Sequence, residues 1–187
     1  MHLNLAQVMN RFIYNKVFQK KTWMVLSLCC GLVLWPTITQ LLPDKRILKP
    51  SKLKINLRYI SPGKVLTINW RGIPIFIKNR TKSEIRSSRS IKLSELKDIL
   101  ARNDNLDVKT LAFDRNRCVD KSCANWLVLI ASCSHLGCVP EVKDNGWYCT
   151  CHGSFYDNSG RIIHGPAPYN LRIPICKCKS NFMIIGK

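Results

Sequence analysis

Two short boxes, Cys133-Ser134-His135-Leu136-Gly137-Cys138 and Cys149-Thr150-Cys151-His152-Gly153-Ser154, constrain this 187-residue chain more than any other feature. They gather four of its 10 cysteines and two of its 4 histidines. Each box places Cys and His two or three positions apart, a spacing at which one loop can offer both to a metal ion. The fold must therefore bring two loops to one point. Two cysteines and two histidines suit tetrahedral zinc, but four cysteines leave two over. In an exported domain a spare pair reads as a disulfide. A covalent strap suits two loops held over a metal cluster, whereas a closed zinc site needs none. On the residues alone, a membrane-tethered zinc-binding module without redox activity stays open.

The second constraint is a charge-free stretch over 22–43. Residues 23–42 as a helix reach about 30 Å, one hydrocarbon thickness. Trp23 and Trp35 suit the interfaces, and Pro36 predicts a kink. No small-residue cleavage site follows, so the stretch reads as a retained anchor rather than a signal peptide. Basic residues flank it on both sides, so charge does not orient it. The expected organisation is an N-terminal tail (1–21), a transmembrane anchor (22–42), a basic, proline-bearing linker (43–52) and a head (53–187). The tail carries enough apolar residues to form an interfacial helix.

The head patterns as mostly β, in small antiparallel sheets. Alternation over 52–59 predicts a strand. Strands over 65–70 and 73–78 flank Arg71-Gly72, and 126–132 reads as a buried strand. Ser61-Pro62-Gly63-Lys64 predicts a turn, and Ser94 is read as the N-cap of a short helix to about Arg102. Lys and Arg number 30 against 11 acidic residues, a net charge of +19. These charges are spread along the chain and no nucleic-acid motif accompanies them, so nucleic acid is not an expected partner. An apolar share of 46% excludes a disordered chain.

Further segments surround the boxes. Trp70-Arg71-Gly72-Ile73-Pro74-Ile75-Phe76-Ile77-Lys78-Asn79-Arg80-Thr81 precedes them, and Trp126-Leu127-Val128-Leu129-Ile130 leads into the first. Tyr156-Asp157-Asn158-Ser159-Gly160-Arg161 follows the second, and Gly165-Pro166-Ala167-Pro168-Tyr169-Asn170-Leu171 comes after it. With these, the chain resembles the Rieske iron–sulfur subunits of cytochrome bc complexes (ubiquinol–cytochrome c reductases) over roughly residues 20–175. The resemblance implies a Rieske-type head with its cluster-binding part at about 126–175, and one 2Fe–2S cluster. It implies that Cys133 and Cys149 bind one iron, that His135 and His152 bind the other, and that Cys138 and Cys151 form a disulfide. By the same resemblance His152, with His135 beside it, meets the quinol. Ser154 and Tyr156 aim hydroxyls at sulfur, Leu136 covers the cluster, and residues 165–171 form a stiff proline loop.

The ligand set has an electrostatic meaning. Two ferric ions, two sulfides and two thiolates sum to about zero, and reduction takes the centre to about −1, whereas four cysteines would start it near −2. The less negative centre accepts an electron more readily. The implied function is electron transfer from ubiquinol to a c-type cytochrome, coupled to proton translocation. The implied partners are cytochrome b, that cytochrome, ubiquinol and membrane lipid. The implied location is a bacterial cytoplasmic or mitochondrial inner membrane, with the head on the periplasmic or intermembrane side. The rival within the class is a Rieske subunit of another quinol- or oxidase-type complex. The 70–81 segment favours the ubiquinol type. Thr150 and Ser134 depart from the family's usual proline and threonine. His164 is expected to be an ordinary surface residue. Cys118, Cys123, Cys176 and Cys178 stay unassigned, with either neighbour pairs or a cross-pair open to them.

Overall fold

A computed structural model describes residues 5–41, 52–119 and 123–186. It divides into two compact units, Met1–Leu48 and Lys49–Lys187. In the first, one helix, α1 (Leu5–Leu41), runs through both the tail and the apolar stretch. Its part Phe18–Gln40 is long and apolar enough to cross a membrane. Pro36 lies inside it. The hydroxyls of the stretch bond within the helix: Thr37 donates to Val33 O at 2.8 Å and Ser27 to Met24 O at 2.9 Å. Such internal bonding is what hydrocarbon requires of hydroxyls. The linker expected at 43–52 lies outside the described residues, except for Lys52.

The second unit is built from three small antiparallel sheets. β1 (Leu53–Asn56) pairs with β10 (Phe182–Ile185), which pairs with β9 (Cys176–Lys179). β2 (Val65–Trp70), β3 (Ile73–Asn79) and β4 (Trp126–Ile130) form the second sheet. β5 (Glu141–Lys143), β6 (Gly146–Cys149), β7 (Ser154–Asp157) and β8 (Ile162–His164) form the third. The β2–β3 hairpin turns on Arg71 and Gly72, both at positive φ (55° and 85°), which is the two-residue turn whose twist matches paired strands. Ile75 and Ile77 of β3 and Leu127, Val128 and Leu129 of β4 are fully buried. An unbroken apolar run in β4 means that both its faces are covered. Phe76 stacks on Trp147 of β6 at 4.7 Å, which joins the second sheet to the third.

Two elements differ from expectation. The strand expected over 52–59 ends at Asn56, whose side chain accepts the Arg58 N–H at 3.1 Å and opens a 3-10 turn, Leu57–Tyr59. Ser94 opens no helix: a single 3-10 turn, Leu93–Glu95, is followed by irregular chain. Asp98 accepts the Leu100 amide there at 3.1 Å, a local bond that competes with helix formation. The helix lies earlier, as α2 (Lys82–Ser90). A reciprocal capping box starts it: Thr81 accepts from Glu84 N at 3.2 Å, and Glu84 accepts from Thr81 N at 2.7 Å.

Buried charge braces the head behind the third sheet. Arg80 pairs with Asp114 at 2.5 Å, and Arg161 pairs with Asp157. Arg117, wholly buried, donates to the carbonyls of Ala101, Ser159, Gly160 and Leu171. Burial pulls its pKa down to about 9. Cys123 and Cys178 form a disulfide, the cross-pair among the unassigned cysteines. Cys176 is buried beside it in sequence, and burial pushes its thiol up to about 12.

Candidate metal centre

Both boxes are loops anchored by strands. Box one follows the C-terminal end of β4, and box two is the tip of the β6–β7 hairpin, where Cys149 pairs with Ser154. The two loops close alike. Gly137 N donates to Cys133 O at 2.8 Å, and Gly153 N donates to Cys149 O at 2.9 Å. Each cysteine thus begins a tight turn that ends on a glycine. A disulfide between Cys138 and Cys151, with Cα atoms 6.6 Å apart, ties the two loops together.

The four expected ligands sort by burial. Cys133 and Cys149 are buried, His135 is half-buried and His152 is exposed. The two cysteine thiols interact directly with each other. The two imidazoles meet edge to face, with centroids 4.7 Å apart. His135 Nδ1 is buried and has no hydrogen-bond partner within the protein. A buried, unpaired imidazole nitrogen is costly unless something binds it, and a metal ion does so. The Sγ atoms of Cys138, Cys149 and Cys151 also lie within 4.8 Å of one another. They do not form a thiolate triad, because two of them are spent in the disulfide.

Donors converge on the cysteine sulfurs. Burial pushes the Cys133 thiol up, but the Tyr156 hydroxyl, the backbone N–H of His135, the Cys149 thiol and the Ser154 hydroxyl outweigh it, and the thiol sits below its ordinary value. The backbone N–H groups of Cys151 and His152 point at Cys149. Tyr156 OH lies 3.1 Å from Cys133 Sγ. Ser154 Oγ accepts the Ala167 N–H at 3.0 Å, which docks the proline loop onto box two. Ser134 Oγ donates to Tyr169 O at 2.7 Å and accepts from Tyr169 N at 3.1 Å, which docks the loop onto box one. The replacement of threonine by serine here keeps the hydroxyl that these bonds use. Gly165 needs its missing side chain: φ is 103°, and a Cβ would stand 2.5 Å from Ser154 Cα. Leu136, in the box-one loop, is 69% exposed. His164 stacks on Phe155 at 5.4 Å, an ordinary surface contact.

A donor set of two buried sulfurs and two adjoining imidazoles on strapped loops fits a two-iron cluster with mixed ligands. The model of the Rieske [2Fe-2S] domain matches residues 58–175. The chain belongs to the Rieske [2Fe–2S] family. It carries one Rieske-type 2Fe–2S cluster. The ubiquinol-cytochrome c reductase iron-sulfur subunit of Cereibacter sphaeroides is 41% identical over 155 residues, which are 81% of this chain and 82% of that one. The subunit of the same description from Rickettsia felis is 40% identical over 169 residues, 86% and 88% of the two chains. The mitochondrial cytochrome b-c1 complex subunit Rieske of Schizosaccharomyces pombe is 42% identical over 143 residues, 75% of this chain and 56% of that one. Residues that the sequence did not bring to this Rieske site are Lys97, Asp98 and Arg102, which hold the proline loop at Gly165, Ala167, Asn170 and Tyr169. Their partners lie about 70 positions away, so nothing local in the sequence marks them.

Proposed function

We propose that the chain is the electron-carrying subunit of a ubiquinol–cytochrome c oxidoreductase. It takes one electron from ubiquinol at a pocket formed with cytochrome b and passes it to a c-type cytochrome of the same complex. The observation that carries this reading is the meeting of His135 and His152, 4.7 Å apart, in front of the two buried cysteines. Residues 22–42 serve as the anchor, 43–52 as the tether and 53–187 as the head, which lies on the periplasmic or intermembrane side.

Cys133 and Cys149 would hold one iron through sulfur; His135, through Nδ1, and His152 would hold the other. When bound, the cluster supplies a one-electron acceptor whose two-histidine ligation gives it a higher potential than a four-cysteine centre. The protein residues do the rest. The N–H groups of His135, Cys151 and His152 and the hydroxyls of Tyr156 and Ser154 favour the negative sulfurs. With one nitrogen on iron and the other deprotonated, the exposed His152 ring would accept a hydrogen bond from the quinol hydroxyl at that second nitrogen and take up its proton. Leu136, exposed in box one, supplies apolar contact that excludes water from the docked surface. The Cys138–Cys151 strap keeps both loops in register while the head moves between partners.

A single-turnover experiment on the purified complex tests this. Added ubiquinol reduces the c-type haem in the parent complex, and His152→Ala abolishes that reduction. Haem reduction at an undiminished rate in the variant would contradict the assignment.

A further inference from the structure

The proline loop is held by two groups of contacts. One comes from the boxes themselves, through Ser154 and Ser134. The other comes from the segment 97–102. Lys97 Nζ donates to Gly165 O at 2.5 Å and to Ala167 O at 3.2 Å. Asp98 accepts the Asn170 N–H at 3.0 Å, and the Asn170 side-chain amide donates to Asp98 O and Leu100 O, each at 2.8 Å. Arg102, paired with Asp98, lies 4.4 Å above the Tyr169 ring. Asp98 and Arg102 thus fix the far end of the loop. Lys97 fixes its near end, at the two carbonyls that precede Pro166 and Pro168.

We propose that Lys97 is a positioning residue for the metal centre: by pinning Gly165 O and Ala167 O, it holds the Ala167 N–H on Ser154 Oγ and fixes the direction of the Ser154 hydroxyl at the centre. This rests on the reading of Ser154 as a donor to the sulfurs of the centre. A hydroxyl has one proton and two acceptor positions. When the Ala167 N–H occupies an acceptor position, the O–H has fewer directions left, and Ser154, paired with Cys149 across the β6–β7 hairpin, stands at the centre itself. The Lys97 side chain is exposed, so solvent and salt screen its charge. Its effect on the site therefore comes from hydrogen-bond geometry rather than from the charge acting through space. Arginine can donate to both carbonyls and should replace it; methionine keeps the stem and loses the donors.

The test uses the full chain in its complex, with two readouts. One is the midpoint potential by redox titration followed by electron paramagnetic resonance. The other is hydrogen exchange of the peptide spanning 165–170, where the prolines contribute no amide. Lys97→Met is expected to lower the midpoint and to speed exchange at Ala167, and Lys97→Arg to restore both. Ser154→Ala lowers the midpoint by itself, and adding Lys97→Met to it should lower the midpoint no further. Faster exchange with an unchanged midpoint would reduce Lys97 to a structural contact and overturn the proposal. So would an additive lowering in the double variant, which would mean that the charge acts without Ser154. No change in either readout overturns it as well. If Ser154→Ala leaves the midpoint unchanged in loaded protein, the reading of Ser154 as a donor to the centre falls, and the proposal falls with it.

Discussion

The Tyr156 hydroxyl stands 3.1 Å from the sulfur of Cys133 and receives the Ser134 N–H at 3.4 Å. The ring is wholly buried in β7, so the hydroxyl has little freedom to turn away. Donation to a sulfur favours the more negative, reduced centre. Tyr156→Phe removes this donor, together with the acceptor of the Ser134 N–H, and leaves the buried ring in place. A hydrogen bond to a charged acceptor is worth about 1.5 kcal/mol, which for one electron is a fall of roughly 60 mV. Redox titration of the variant, with iron content measured alongside, checks this. A loaded variant with the parent potential would refute the role.

The Cys138–Cys151 bond closes a separation of 13 residues. A loop of that size gives about 3 kcal/mol through the unfolded state. It also holds together two turns that share no sheet ladder. Cys138→Ala together with Cys151→Ala should lower stability by about that amount and cut the iron bound per chain. Denaturant unfolding and iron analysis measure the two effects. Full iron at unchanged stability would show that the strands alone hold the loops.

Asp114 is buried, and burial raises its pKa. Arg80, the Ser159 hydroxyl and Arg89 outweigh that and hold the carboxyl below its ordinary value. A carboxyl lowered in the folded state adds stability above its unfolded pKa, and that stability is lost as pH falls through the folded value. The head should therefore lose stability below about pH 4. Asp114→Asn should flatten this acid limb and cost about 3–5 kcal/mol at neutral pH, because Arg80 is left buried without its partner. Urea unfolding from pH 7 to pH 3 reads both. An acid limb of the same depth in the variant would show that other carboxyls set it.

How much of this was legible in the sequence depends on the range of each interaction. The β2–β3 hairpin was readable because its signal, Arg71-Gly72 between two apolar runs, is local. The box residues were readable because the chemistry packs them into a few positions. Helix α2 was missed although Thr81 and Glu84 spell its capping box, because its own composition is polar and shows no apolar stripe. The buried cations Arg80, Arg117 and Arg161 were not legible: in a chain of net charge +19 they look like any surface charge. Their partners are 34 positions away for Arg80 and up to 54 for Arg117. The Lys97 contacts at 68 and 70 positions belong to the same class. The Cys123–Cys178 pairing, 55 residues apart, likewise needed the fold.

The most direct test of the central claim is the low-temperature electron paramagnetic resonance spectrum of the ascorbate-reduced protein in its membrane. Two imidazoles on one iron predict a rhombic ferrous–ferric signal of low average g-value, developed by a reductant as mild as ascorbate. That signal should change with quinone occupancy. A silent protein that carries zinc without iron or sulfide would contradict the account.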